Sequence, residues 1–177
     1  MKINHAILHG GREGCGKDTI GGILSRQLAG CFGPCWKFAA PIVDFLFHVY
    51  GIDMASVEKD RPHDALRGRT PREVAIHYSQ AFCKPLYGQD YFGQKVVDRL
   101  KAYEQTIDPG GVVVFSDSGF VVEAIPVLRH LGKGNVIQVL ISRPFHSFER
   151  DSRSYWNHPD IGQIQFENKG DGVSRLV

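Results

Sequence analysis

Residues 5–19, HAILHGGREGCGKDT, join a short apolar run to a glycine-rich loop that ends in Lys17. Gly11, Gly16 and Lys17 have the spacing G-x4-G-K of a phosphate-binding loop. Glycines let the backbone curl until several N–H groups face one anion, and a following helix adds its positive end. A plain strand-to-helix turn in a chain with 20 glycines is the alternative. An apolar strand before the loop and an amphipathic helix after it favour phosphate binding.

Asp18 stands where such loops normally carry Ser or Thr, whose hydroxyl binds Mg²⁺. A carboxylate is also a hard oxygen ligand for Mg²⁺, directly or through water. Thr19 offers a hydroxyl one position later, suited to a phosphate oxygen. The sequence therefore predicts a working variant of the loop, in which Asp18 contacts the metal and Lys17 is exposed to reach the terminal phosphates. The alternative is that Asp18 only stabilises the start of the helix through its charge.

Apolar runs and helical spacings alternate along the chain, which predicts an α/β domain with a parallel sheet. The unbroken run VVVF suits a strand that is covered on both faces. Thr70 as N-cap, Pro71 at the first position and Glu73 at the third predict a helix start. Strands are predicted over residues 3–8, 112–115, 136–142 and 163–168, helices over 20–30, 41–51, 70–83, 90–103, 123–131 and 145–156, and a loop over 51–69.

Polar side chains follow three of these strands. The glycine loop follows the first, Asp117 follows the run VVVF, and Arg143 follows VIQVLIS. Ligands of open α/β sheets bind at the carboxyl ends of the strands. The three groups together predict a phosphate site at that edge.

The composition narrows the class of protein. The chain has 177 residues, 42% of them hydrophobic and 23% charged, which suits one globular domain. The net charge of +2 disfavours nucleic acid as a partner, although it leaves that partner open, and gives no reason to expect a membrane surface. Cys31 and Cys35 resemble half a metal site but lack a matching second pair, so we expect thiols in a reducing cytoplasm. No apolar stretch approaches the ~20 residues of a membrane span.

Four segments in this order resemble the deoxynucleoside monophosphate kinases of tailed phages, which are P-loop nucleotide kinases. The similarity extends from about residue 1 to residue 171. It implies a three-layer P-loop kinase fold, with a central parallel sheet and helices on both faces, and transfer of the γ-phosphoryl group of ATP to a nucleoside monophosphate with Mg²⁺. The segments are G-x4-GKDT at 11–19, FAAPIVDFL at 38–46, TPREVAIHYSQAFCKPLYGQDYFGQKVVDRL at 70–100 and VVVFSDSGFVVEA at 112–124.

The resemblance also implies roles for single residues within one domain over 1–177. An acceptor-binding insertion would occupy about 44–104, and an Arg-rich lid about 143–158. Residues 165–170 resemble the segment beside the adenine. The residues implied for ATP are Gly11, Gly14, Cys15, Gly16, Lys17, Asp18, Thr19 and Arg143. Those implied for the acceptor are Phe38, Asp44, Arg72 and Gln80. Those implied for phosphoryl transfer are Lys17, Asp18, Asp117, Arg150 and Arg153, with Asp18 and Asp117 holding Mg²⁺.

The chain departs from the family pattern in the acceptor region. Val43 replaces a frequent Lys, Ser79-Gln80 replaces Gly-Thr, and Gly119 replaces an Arg. Two other functions therefore stay open: a P-loop kinase acting on a modified base in DNA or a small metabolite, and a degenerate nucleotide-binding protein without turnover. A homodimer is also left open.

Several of the predicted site residues have structural alternatives. Asp117 could cap a turn, and Arg150 and Arg153 could form a solvated helix face. Arg67, Arg69 and Arg72 surround the acceptor segment and could replace the missing basic residues or be surface charge.

Overall fold

The computed structural model describes residues 5–11, 14–28, 35–105, 111–146 and 154–170. A four-stranded, all-parallel sheet with the order β2-β1-β3-β4 confirms the predicted α/β class. Trp36 adds one parallel bridge beside β2, where its N–H donates to the carbonyl of Val114 at 2.8 Å. The strands are β1 (His5–Gly11), β2 (Val112–Phe115), β3 (Val136–Ser142) and β4 (Gly162–Glu167).

The helices occupy the regions between the strands, as the periodicity predicts. The capping box at Thr70 is confirmed: its hydroxyl accepts from the Glu73 N–H at 3.1 Å, and the Glu73 carboxylate accepts from the Thr70 N–H at 2.8 Å. The α-helices are α1 (Lys17–Gln27), α2 (Ala40–Tyr50), α3 (Pro71–His77), α4 (Lys84–Tyr87), α5 (Tyr91–Glu104) and α6 (Val121–Leu131).

The helix predicted over 70–83 is present, but the hydrogen-bond pattern of its second half is not that of a regular α-helix. Helix α3 ends at His77 and continues as a π-helical segment, Tyr78–Cys83, before α4. Pro85 lacks the N–H that would bond to the carbonyl of Ala81, so a regular ladder cannot pass through this point. Ser79, in the π-helical segment, is buried beside the candidate site.

Two other segments were harder to predict. The segment 51–69 is mostly irregular, as expected, but contains the 3₁₀ turn Asp64–Leu66, and Leu66 packs with Leu46 and Ile52 in a small buried cluster. Of the helix predicted over 145–156, residues 154–156 are not helical and 147–153 lie outside the described residues.

The main core lies between the sheet and helices α5 and α6. Val113, Val114 and Phe115 are all at most 1% exposed, so both faces of β2 are covered, as its apolar run predicts. Helices α5 and α6 approach so closely that a Cβ at Gly93 would overlap the carbonyl oxygen of Glu123. Among the described residues, no helix has both the length and the apolar character needed to cross a membrane.

Candidate functional site

The carboxyl ends of β1, β2 and β3 bring together the groups that the sequence predicted there. The glycine loop leaves β1 after Gly11, Ser116 and Asp117 follow β2, and Arg143 follows β3. A Cβ at Gly11 would overlap the carbonyl oxygen of Ile141, so only glycine fits where the loop starts beside β3. The shared edge of the three strands is therefore the candidate site.

The loop leading into α1 depends on two glycines in the left-handed region. Gly14 has φ 72° and Gly16 has φ 96°, a conformation that glycine adopts without steric cost. Gly16 is also the N-cap of α1, and it has no side chain to satisfy the first amides of the helix. Among the described residues, the N-cap position gives no side-chain hydrogen bond to the start of this helix, whose positive end is suited to an anion.

Two side chains from the β3–β4 side hold the loop from outside. The guanidinium of Arg143 donates to the carbonyl of Gly14 at 3.1 Å, and the amide of Asn168 donates to the carbonyl of Cys15 at 3.0 Å. In a trans peptide the C=O and the next N–H point in opposite directions. The N–H groups of Cys15 and Gly16 therefore face away from Arg143 and Asn168. Asn168 lies in the predicted adenine segment.

Lys17 is buried, not exposed. The residue is only 8% exposed, and its ammonium lies 3.7 Å from the Cys15 sulfur. The prediction of a fully exposed lysine was wrong because the side chain packs under the loop that precedes it. Removal of the whole side chain would therefore change packing as well as charge.

His9 lies beneath the loop and supports it. It is fully buried, its Nδ1 is 3.4 Å from the Lys17 carbonyl, and among the described residues its Nε2 has no hydrogen-bond partner. Burial lowers the pKa of His9, so the imidazole is neutral near pH 7. A Cβ at Gly21 would lie 2.6 Å from the Cys35 sulfur and 3.3 Å from the His9 ring, so this glycine allows α1 to approach β1.

Asp18 is exposed on the first turn of α1 and is bound to two other side chains. Its Oδ1 accepts from the Ser116 hydroxyl at 2.8 Å and pairs with the Lys37 ammonium at 2.8 Å. Burial acts to raise the pKa of Asp18, but the hydrogen bonds from Lys37 and Ser116 outweigh it and lower the pKa. Burial likewise opposes the charge on Lys37, and the bond to Asp18 reverses that effect and raises its pKa. Both groups are charged at neutral pH.

Asp117 binds the start of α2. Its Oδ1 accepts from the N–H of Phe38 at 2.7 Å, and its Oδ2 accepts from the N–H of Ala39 at 2.9 Å. These are the contacts expected if Asp117 caps a turn. They use one lone pair on each oxygen, so a contact to Mg²⁺ stays a prediction.

A small cavity of about 110 Å³ lies next to Asp117. The predicted acceptor residue Phe38, whose amide binds Asp117, lines this cavity, and its ring centre lies 5.1 Å from that of Phe115. The other residues that line the cavity are Ala39, Ile42, Ser79, Phe92, Asp117, Phe120 and Glu123.

The other predicted acceptor residues do not line this cavity. Asp44 is exposed on α2, and Gln80 is exposed in the π-helical segment with its amide 3.5 Å from the Ser79 hydroxyl. Arg72 forms a two-pronged ion pair with Asp60, with 3.1 Å between Nη2 and Oδ2. This ion pair orients the guanidinium of Arg72 toward Asp60.

A buried ion pair stands beside the same cavity. The Lys84 ammonium lies 3.1 Å from the Glu123 carboxylate, and both side chains are less than 10% exposed. Burial raises the pKa of Glu123, and Lys84 reduces this shift without cancelling it. The Lys84 ammonium also lies 4.1 Å from the centre of the Phe120 ring. The sequence analysis missed this pair, because no spacing relates two residues that meet only in the fold.

Arg150 and Arg153, which the resemblance predicts for the lid, lie outside the described residues, as does Cys31. Within the described part of the chain, no three His, Cys, Asp or Glu residues are grouped closely enough to hold a metal by themselves. Burial raises the pKa of the Cys35 thiol to about 11, so this cysteine is neutral.

No protein-family model, curated protein or solved structure matches this chain. The geometry of the site is therefore the basis for any functional conclusion.

Proposed function

We propose that the protein is an ATP-dependent nucleoside monophosphate kinase that uses Mg²⁺. The observation that carries the proposal is the loop before α1. Arg143 and Asn168 bind two of its carbonyl groups from outside, which turns the N–H groups of Cys15 and Gly16 to the opposite side, next to the uncapped start of α1. A row of phosphates is bound well by backbone N–H groups that face the same side beside the start of a helix. A plain strand-to-helix turn does not need N–H groups arranged in this way.

The residues around the loop fit ATP. The amides of Cys15 and Gly16 and the first turn of α1 would bind the phosphates, and Lys17 would move its ammonium from the Cys15 sulfur toward the terminal phosphate. Asn168, bonded to the Cys15 carbonyl, places the chain after β4 beside the loop. Asn168 belongs to residues 165–170, which the family resemblance implies to lie beside the adenine of ATP.

The oxygen atoms near the loop fit Mg²⁺ held mainly by phosphates and water. Mg²⁺ in phosphoryl-transfer sites needs only one or two protein oxygens. Asp18 and Ser116 are hydrogen-bonded at the end of β2, and Thr19 is exposed on the same turn of α1 as Asp18. Bound Mg²⁺ would offset the negative charge of the transferring group. Asp18 would hold the ion or one of its waters, and Lys37 would share that carboxylate.

The acceptor would lie at the cavity beside Asp117. Its phosphate is already a nucleophile, so the chain need only position it. Phe38, Phe92 and Phe120 give the cavity an aromatic lining suited to a base. The same proposal includes a three-layer arrangement and an acceptor-binding insertion over 44–104. It also includes a lid over 143–158, which brings Arg150 and Arg153 to the phosphates.

A second candidate, nucleotide binding without turnover, is favoured by one observation. Each carboxylate proposed for Mg²⁺ already has a partner: Asp18 is paired with Lys37, and Asp117 binds two backbone amides. If those contacts persist when nucleotide binds, the site would hold phosphates without activating them.

Conversion of labelled ATP in the presence of each common ribo- and deoxynucleoside monophosphate tests the proposal. Lys17→Met is the informative variant, because it keeps most of the buried stem and removes the charge. We expect it to lower turnover by about 10²–10³-fold, while Lys101→Met, at an exposed position on α5, leaves turnover unchanged. Turnover by Lys17→Met close to that of the wild type would refute the assignment of the loop. ATP binding without conversion of any acceptor would favour the second candidate.

A further inference from the structure

A larger cavity, of about 340 Å³, lies between the start of α2 and the middle of α5. It is separate in its lining from the cavity at Asp117, since the two share no residue. Its charged residues are Lys37, Asp44, Lys95 and Arg99, and its apolar wall includes Pro41 and Val96. Three cations therefore face one carboxylate around a space large enough for a small organic molecule.

Two cations of α5 line this cavity. Lys95 and Arg99 are four residues apart, so they lie on the same face of the helix. The Arg99 guanidinium lies 4.3 Å from the centre of the Trp36 ring. Stacking on a ring fixes the plane of a guanidinium and leaves the N–H groups at its edge free to bind oxygen. Lys95 pairs with Asp98 at 3.5 Å, but both side chains are about half exposed, so this pair is weak.

Lys37 links this cavity to the phosphate loop. It lines the cavity and also forms the ion pair with Asp18. One ammonium has three donors, so it can bind Asp18 and a second anion together. However, a strongly charged anion in the cavity would compete with Asp18 for it.

We propose that this cavity is a second anion site, which binds a small molecule carrying a phosphate group. Lys37, Lys95 and Arg99 bind the phosphate, and the wall that includes Pro41 and Val96 contacts the organic part. Occupation of the cavity draws Lys37 toward the bound phosphate and weakens its hold on Asp18. Because coupling between two sites is reciprocal, a ligand at the loop that engages Asp18 changes the affinity of the cavity by the same factor.

Calorimetric titration with inorganic phosphate and with phenyl phosphate tests the site. The titrations use Lys17→Met protein, so that binding at the loop is weakened and the second site is measured alone. Loss of one charge-assisted contact should weaken binding by about 10–100-fold. We therefore expect at least that loss for Arg99→Gln, a comparable loss for Lys95→Gln, and no change for Lys101→Gln, which removes a charge from the same helix outside the cavity.

Trp36 fluorescence gives the location of the bound anion. Trp36 is stacked against Arg99, so a ligand that binds Arg99 should change its emission in a Trp156→Phe background. Tighter binding of phenyl phosphate than of inorganic phosphate would support an organic ligand, and equal binding would refute the role of the apolar wall. Affinities unchanged by both Lys95→Gln and Arg99→Gln would overturn the proposal. The kinase proposal fails by different results: no conversion of ATP by the wild type, or turnover by Lys17→Met close to that of the wild type.

Discussion

Replacing Gly93 by Ala tests how tightly helices α5 and α6 are packed. The new Cβ would overlap the carbonyl oxygen of Glu123 and lie 2.9 Å from its carbonyl carbon. Carbon atoms pack at about 3.5–4.0 Å, so the helices would have to separate by about 0.6–1.1 Å. The obstacle is backbone, which cannot rotate away as a side chain can. Overpacking of this kind costs about 1–3 kcal/mol, and the upper end applies here.

The helix propensity of alanine offsets part of this cost. Gly-to-Ala in a helix interior contributes about 1 kcal/mol of stability. The net loss for Gly93→Ala is therefore about 2 kcal/mol, or a fall in Tm of about 4–8 °C for a chain of this size. Gly22→Ala is the matched control: Gly22 also lies inside a helix, and a Cβ there would meet only the end of the Arg26 side chain, at 3.5 Å. It should raise stability by up to about 1 kcal/mol.

Urea denaturation followed by circular dichroism measures both free energies of unfolding. The expected result is a change of opposite sign in the two variants, with unchanged m-values. Gly93→Ala protein as stable as the wild type would refute the close approach of α5 and α6. Since Glu123 also lines the cavity beside Asp117, separation of the helices should weaken acceptor binding as well.

Two further predictions concern the carboxylates of the site. Asp117→Ala should lower the free energy of unfolding by about 1.5–3 kcal/mol, because two backbone amides at the start of α2 lose a charged acceptor. The control Asp53→Ala, in an exposed turn, should lower it by less than about 1 kcal/mol. Equal effects of the two substitutions in urea denaturation would contradict the capping role of Asp117. The folded-state pKa of Asp18 is lowered, so its stabilising contribution is present above the unfolded pKa of 3.8 and is lost as the pH falls through and below that value. Between about pH 5 and pH 3 the wild type should therefore lose more stability than Asp18→Asn, and parallel pH profiles would show that the contacts with Lys37 and Ser116 do not form in solution.

The strands and most helices were predictable because their signals are local. The run VVVF indicates that both faces of β2 are buried. The start of α3 is specified by Thr70, Pro71 and Glu73 through contacts within one turn. These features depend on residues that are near in sequence or on burial alone.

Most of the features that the sequence analysis missed depend on distant partners. Lys37 meets Asp18 only because the chain at Trp36 pairs beside β2, and a single bridge leaves no strand pattern in the sequence. From the sequence alone, Lys95 and Arg99 are indistinguishable from charged residues on an ordinary exposed helix face. Only the fold shows that they line a cavity together with residues of α2. The burial of Lys17 depends on how the loop folds over its own side chain, which spacing does not describe.

The bond between Asp117 and the start of α2 has a consequence for biosynthesis. The carboxylate and the Ala39 amide that it binds are 78 residues apart in the chain. At about 5–20 residues per second, a ribosome needs roughly 4–16 s to make the intervening segment. During that interval the amides of Phe38 and Ala39 at the start of α2 lack the carboxylate that binds them in the folded protein. Slower translation of residues 40–117 should therefore lengthen the time for which the start of α2 lacks its acceptor.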